Sequence, residues 1–189
     1  MISQPVLVCE SLQDFWRGIC LSRVDTVPVT FVLAEKADRR EIISIINKVA
    51  AERIYLQTDR YRPTANWEHL LDEGLNINER FVLFVVKYKQ SIIGFGRLCT
   101  DEVQPLYGNV GIVLVRAFRS IGIGTALLKF LIDWALCLGY SKLTADVLAT
   151  NVRSIRLFRR FRFVERDVHD IYSIFTSEEI QEIAFELDL

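Results

Sequence analysis

The sequence predicts a single α/β (α+β) domain in which a mixed sheet of about six to seven strands is flanked by about four helices. Three observations carry that expectation. Apolar runs rich in Val, Ile and Phe alternate with segments of helical period, in the order βααββ, then βαβ, then αββ. The chain has 189 residues, 51% of them hydrophobic and 25% charged, a balance that suits one core and disfavours two. There is no internal repeat, and no apolar run nears the roughly 18 residues of a membrane span.

Residues 1–28 read as an N-terminal extension to a domain of residues 29–189, with a short helix candidate at Ser11–Leu21 closed off by Pro28. Val29–Ala34 is the first strand candidate. From about Ala37 to Ile54, the residues Ile42, Ile43, Ile46, Val49 and Ala50 keep to one side, with Asp38, Arg39, Glu41 and Lys48 elsewhere. Tyr55–Thr64 is a loop by composition, and a second short helix, Ala65–Glu73, is stopped by Gly74. Phe81–Tyr88 and Ile92–Cys99 form a hairpin about Lys89–Ser91. Val110–Val115 is a continuous apolar run, suited to a strand buried on both faces. In Gly122–Leu138, Ile123, Leu127, Phe130, Leu131, Trp134 and Leu138 follow the helical period, and Gly139 stops it. Lys142–Leu148 is a strand, Asn151 caps a helix running to about Arg160, and Phe163–Tyr172 and Ile183–Leu187 are strand candidates.

Charge and cysteine usage exclude several classes. A net charge of −1 provides no global field for nucleic acid or an anionic membrane. Cys9, Cys20, Cys99 and Cys137 form no C-x-x-C pair, and His69 and His169 lie far from them, so neither a disulfide framework nor a metal site is expected. They read as small core residues in a reducing compartment. Glu10 and Asp14 interrupt the first apolar stretch and no basic segment precedes it, so no signal peptide is expected and the chain reads as cytoplasmic.

The segment between Val115 and the long helix carries the chemistry. It reads Arg116-Ala117-Phe118-Arg119-Ser120-Ile121-Gly122-Ile123-Gly124-Thr125. Its glycines let a ligand approach backbone N–H groups that open a helix, which are unsatisfied and carry the positive end of its dipole. That arrangement suits phosphate or pyrophosphate. A P-loop would need Gly-Lys-Ser/Thr where Gly124, Thr125 and Ala126 stand, and a dinucleotide turn would need a third glycine at Leu127.

What survives is Arg119-x-x-Gly122-x-Gly124, followed after the next strand by Asn151-x-x-Ser154-x-x-Leu157-Phe158-x-x-x-Arg162-Phe163. Both segments resemble the acyl-CoA-dependent N-acyltransferases of the GNAT superfamily, at the family's spacing, and the resemblance covers roughly residues 29–188. Gly108-Asn109-Val110-Gly111-Ile112 is similar to a strand of the phosphinothricin and ribosomal-protein N-acetyltransferase subgroup. The resemblance implies the GNAT fold, with a mostly antiparallel mixed sheet, and acetyl-CoA as cosubstrate. It implies that the backbone of Leu114, Val115 and Arg116 holds the pantetheine arm. It further implies that Arg119, Ser120, Ile121, Gly122, Ile123, Gly124 and Thr125 cradle the pyrophosphate, and that Asn151, Ser154 and Phe158 also face the cofactor.

The catalytic positions depart from the family. Its usual acid, a tyrosine, is Phe158 here, which has no proton to give, and the subgroup's strand glutamate is Asn109. Asp146, Tyr107, Tyr55 and Tyr61 are candidate substitutes, with Asn109 orienting a water. The resemblance therefore implies transfer of an acetyl group to a primary amine of a small molecule or peptide, or else an impaired relative that binds acyl-CoA. The acceptor's pocket is expected at Tyr55–Trp67 and near Asp167–Ser177. Arg153, Arg156 and Arg160 fall on one helix face, either as a solvated surface or toward the 3′-phosphate of CoA. Nucleic-acid binding is disfavoured by the acidic tail and the lack of interleaved aromatics. Oligomeric state is left open.

Overall fold

The computed structural model describes residues 20–24, 27–65, 68, 71–72, 75–76, 81–173 and 177–189. The strands are β1 (Cys20–Val24), β2 (Val27–Leu33), β3 (Leu75–Asn76), β4 (Phe81–Tyr88), β5 (Ser91–Thr100), β6 (Tyr107–Leu114), β7 (Lys142–Leu148), β8 (Val164–Ser173) and β9 (Glu178–Asp188). They form one sheet in the order β1-β2-β4-β5-β6-β7-β9-β8, with β3 added to β4. The pairing is antiparallel everywhere except between β6 and β7. The strands of seven residues or more are β2 and β4 to β9, which is the expected complement; β1 and the two-residue β3 are additions.

Helices α1 (Arg39–Ala50), α2 (Ile123–Cys137) and α3 (Val152–Arg160) pack on the sheet, α1 on one face and α2 and α3 on the other. Alternation along β4 explains why its whole run is apolar. Val82, Phe84 and Val86 enter the core under α2, while Leu83 and Val85 enter the core under α1. Under α2, Leu127, Leu131 and Trp134 are fully buried, and the Phe84 ring meets Trp134 edge-on at 4.8 Å. Each such burial contributes about 1.5–3 kcal/mol. Ala65, Glu68, Leu71 and Asp72 have helical backbone where the fourth helix is expected, and Leu71 is buried against the α1 core; Gly74 lies outside the described residues.

Several boundaries differ from the sequence reading. The helix candidate Ser11–Leu21 lies outside the described residues except at its end, where Cys20 and Leu21 begin β1. The hairpin of β1 and β2 pairs Arg23 with Pro28, so the first strand pair reaches into the segment read as an extension. β6 starts at Tyr107 and β9 at Glu178, earlier than expected, because both open on residues that interrupt the apolar run, Gly108 and Asn109 in β6 and Glu178, Glu179, Gln181 and Glu182 in β9. Of the two cysteines with described side chains, Cys99 is buried as expected, whereas Cys137 is exposed at the end of α2.

The parallel pair positions the site. A parallel connection needs a crossover, and α2 is that crossover. β6 and β7 are paired only from Tyr107–Lys142 to Asn109–Thr144. Beyond that point β6 stays on β5 as far as Leu114 and β7 stays on β9 as far as Leu148, so the two strands part and leave a gap in the sheet.

Candidate functional site

At the open end of β6 lies a cavity of about 390 Å³. Its walls come from Ile112, Val113 and Leu114, from the turn at Arg119, Ser120, Gly122, Gly124 and Thr125, and from Asn151, Arg153, Ser154, Arg156, Leu157 and Arg160 at α3. The turn reaches the helix through left-handed backbone at Ser120 (φ 63) and Gly122 (φ 90), the second of which caps α2. The Ala126 N–H is the first to bond back, to the Gly122 carbonyl, so the N–H groups before it have no partner within the helix. A Cβ on Gly124 would meet Leu157 at 3.5 Å, Leu114 at 3.7 Å and Ile112 at 3.8 Å, all ordinary contacts at the cavity wall. Free N–H groups, a helix dipole and the three arginines of α3 fit a diphosphate with a further phosphate.

The structure brings Leu114, Arg119, Ser120, Gly122, Gly124, Thr125, Asn151 and Ser154 together around this cavity. The remaining cofactor candidates, Val115, Arg116, Ile121, Ile123 and Phe158, do not line this cavity. Val115 has both backbone groups in use: its N–H donates to Ile93 and its carbonyl accepts from Phe118. Arg116 is in a 3-10 turn and Ile121 packs on the α2 core, while Ile123 is fully buried in that core. Phe158 is 3% exposed, stacked on Phe185 at 5.8 Å and edge-on to Phe163 at 5.0 Å. Its ring belongs to the apolar face of α3, so it does not stand at the cavity as expected. Asn151 combines two roles, since its side-chain oxygen accepts from the Ser154 N–H at 3.1 Å while the residue lines the cavity. The Arg119 guanidinium is bound to Glu52 and the Leu114 carbonyl, so this side chain shapes the turn instead of offering a free charge.

The catalytic candidates separate. Asn109 and Asp146 meet where β6 and β7 part: Asn109 Nδ2 donates to Asp146 at 3.0 Å and to Thr144 at 3.2 Å, and its oxygen accepts from Arg97 at 2.9 Å. Tyr107 starts β6, seven residues or about 23 Å of strand from Leu114. Its ring carries the Lys142 ammonium at 4.9 Å, and it is not brought to the cavity. Tyr55 lines the cavity, and its hydroxyl accepts from Arg153 at 2.8 Å. The Tyr61 hydroxyl donates to Glu68, and burial followed by that carboxylate pushes the phenol up to about 12, which makes it a poor proton donor near neutrality.

Residues 44–163 match the sequence model of the Acetyltransferase (GNAT) family. The chain belongs to that family. Solved GNAT structures superpose on it. An acetyltransferase of the GNAT family from Streptococcus pneumoniae has a TM-score of 0.73 at 20% identity, covering 85% of this chain and 99% of its own. Ribosomal-protein-alanine N-acetyltransferase from Brucella melitensis has a TM-score of 0.73 at 19% identity, covering 84% and 99%. A phosphinothricin acetyltransferase from Sinorhizobium meliloti, in complex with AcCoA, has a TM-score of 0.74 at 18% identity, covering 85% and 88%. At these identities the likeness is one of fold.

The sequence reading of this GNAT chain gave no place near the cavity or the β6–β7 gap to Glu52, Gln57, Arg97, Glu182 and His169. Glu182 is 6% exposed on β9, yet in sequence it stands in a run of acidic residues that reads as a solvated tail. Only the pairing of β9 between β7 and β8 buries it. Apolar Ile183, Phe185 and Leu187 at every second position were the available signal, since they turn Glu182 to the other face. Among the described residues no His, Cys, Asp and Glu group could hold a metal ion.

Proposed function

We propose that this GNAT protein transfers the acetyl group of acetyl-CoA directly to a primary amine of a small molecule or peptide. The observation that carries the reading is the convergence, on one cavity, of the β6–β7 gap, the glycine turn and the basic side of α3. Backbone N–H groups from Gly122 to Thr125 would hold the diphosphate, and Arg156 and Arg160 the 3′-phosphate. Ile112, Leu114 and Leu157 would line the pantetheine arm, with Asn151 beside it. The acceptor would come from the α1 face of the sheet, where the loop bearing Tyr55 and Gln57 packs against β9. The position of Arg153, Arg156 and Arg160 on the cavity supports a small-molecule role for them over nucleic-acid binding. The action is read as cytoplasmic.

A second reading has an observation of its own. Phe158 is sealed in the core and Asn109 cannot accept a proton, so the family's usual acid and base are both missing. That favours an acyl-CoA-binding module without turnover. Two measurements separate the readings. Acetyl-CoA at about 100 times its Kd stabilises the fold by roughly 2.7 kcal/mol, and thiol release is measured with a panel of amines and peptides. A melting shift with amine-dependent thiol release establishes the enzyme. A shift alone establishes the module, and no shift removes both.

A further inference from the structure

We propose that Glu182 accepts the proton of the acceptor amine, and that His169 passes it on to solvent. The inference rests on the acetyltransfer reading and supplies the base that Asn109 cannot be.

Side-chain alternation places a polar row on the α1 face of the sheet. Leu143, Ala145 and Val147 of β7 enter the α2 core, which turns Thr144 and Asp146 the other way. Ile183 and Phe185 of β9 enter the same core, which turns Glu182 the other way as well. From the gap outward the row therefore runs Asn109 on β6, Asp146 on β7, Glu182 on β9 and His169 on β8. Glu182 is paired with Leu148, at the end of the β7 stretch that β6 has left, so it stands one strand from the gap. Gln57 donates to Glu182 from the same loop whose Tyr55 lines the cavity.

The partners of Glu182 are unusual for a buried carboxylate. Glu52 is held by Arg119, and Glu186 by Lys142 and Arg166, partners that keep their charge at all working pH. Among the described residues the basic side chain within 4 Å of the Glu182 carboxylate is instead His169, directly opposite on β8, with Nε2 at 3.8 Å, which makes an ion pair only when the imidazole is protonated. The Glu182 side chain is 8% exposed and that of His169 41%, so the imidazole links a buried carboxylate to water. Facing groups are Asp146 from β7, the neutral amide of Gln57 from the loop, and His169, which has Asp167 at 4.0 Å on its far side. Burial, more than any other influence, pushes the Glu182 carboxyl above the ordinary glutamate value, Asp146 adds to this, and Gln57 and His169 oppose it. A carboxylate so placed is a stronger base than a solvated one.

In the step, Glu182 takes one proton from the ammonium and frees the nitrogen lone pair. The nitrogen attacks the thioester carbon, a C–N bond forms and the carbonyl π pair moves onto oxygen. That pair then returns, the C–S bond breaks with its electrons on sulfur, and the thiolate takes the second nitrogen proton. The proton on Glu182 leaves through His169 to water.

The test compares the parent with Glu182→Gln and His169→Gln, using benzylamine and 2,2,2-trifluoroethylamine as acceptors and acetyl-CoA binding as a control. Benzylamine is cationic at pH 7 and needs a base; trifluoroethylamine is largely neutral there and does not. Glu182→Gln is expected to lower kcat for benzylamine by about 100-fold or more with little change in KM, and for trifluoroethylamine by less than about 10-fold. The benzylamine deficit should close as pH rises toward the amine's own pKa. His169→Gln is expected to lower kcat for benzylamine by about 3- to 10-fold. If Glu182→Gln melts below the assay temperature, Glu182→Asp replaces it, with an intermediate rate expected and a parental rate against the proposal. A Glu182→Gln protein with a parental rate and pH profile overturns the role of Glu182 and leaves acetyltransfer standing. A parent that binds acetyl-CoA but releases no thiol with either amine or with any member of the amine and peptide panel overturns both.

Discussion

Arg119 and Glu52 meet in a two-pronged ion pair, NH2 to Oε1 at 2.6 Å and NH1 to Oε2 at 2.8 Å, beside the cavity that Arg119 lines. The same guanidinium donates through Nε to the Leu114 carbonyl at 2.7 Å and lies over the Tyr55 ring at 4.2 Å. The Tyr55 hydroxyl in turn accepts from Arg153 of α3. One side chain thus joins the segment after α1, the end of β6, the loop bearing Tyr55 and, through Tyr55, α3. A bidentate, largely buried arginine loses more than a lysine could replace, because only the planar fork serves both carboxylate oxygens and the ring.

Glu52→Ala is therefore expected to destabilise the protein by about 1–3 kcal/mol, since it strips a charged partner from a guanidinium that is 10% exposed. For a domain of this size the melting temperature should fall by about 2–4 °C per kcal/mol. Hydrogen bonding from Arg119 holds the Glu52 carboxyl below the ordinary glutamate value. A depressed folded-state pKa gives stability that is present above the unfolded value and is lost as pH falls through the folded one. The parent should accordingly lose more stability than Glu52→Ala between the ordinary glutamate range and lower pH, as thermal melts across that window would show.

At Gly124 the cavity wall has room for a methyl group but not for a charge. Gly124→Ala should bind acetyl-CoA within about threefold of the parent, because its Cβ meets only side chains at 3.5 Å or more. Gly124→Glu should abolish binding by filling the diphosphate's space with like charge. Gly122→Ala behaves differently, since its φ of 90 lies in the left-handed region and costs about 1–2 kcal/mol of stability. Calorimetric titration and thermal melts of the three variants separate these outcomes.

Phe158→Tyr is expected to give no gain in thiol release. The new hydroxyl would enter a core packed by Phe163 and Phe185 and cost about 1–3 kcal/mol if it found no partner. A faster variant with unchanged melting would show that the ring can reach the thioester.

Replacing Arg156 and Arg160 together by alanine should weaken acetyl-CoA by about 10- to 100-fold, at about 1.5–3 kcal/mol for each charged hydrogen bond before screening. Affinity for 3′-dephospho-CoA should fall much less. Equal losses for both ligands would assign these arginines to the diphosphate.

Much of this was legible in the chain. Phe81–Tyr88 and Lys142–Leu148 coincide with β4 and β7 to the residue, because β4 is buried on both faces and reads as a near-continuous apolar run, while β7 alternates Leu143, Ala145 and Val147 with Thr144 and Asp146. The glycine turn was equally plain, since a left-handed residue before a helix and close approach of a ligand both demand glycine. Local backbone rules and periodicity need no knowledge of what lies across the sheet. The fates of Phe158, Arg119 and Glu182 do need it. The sequence by itself determined the fold and the order of its main elements, and it singled out the glycine turn that the structure brings to a cavity. Only the tertiary structure decided that Phe158 turns into the core, that Arg119 is spent on Glu52, 67 residues away, and that Glu182 is buried beside His169. The reason is physical: burial and charge pairing depend on strand register, and register is a relation between segments that no single segment contains.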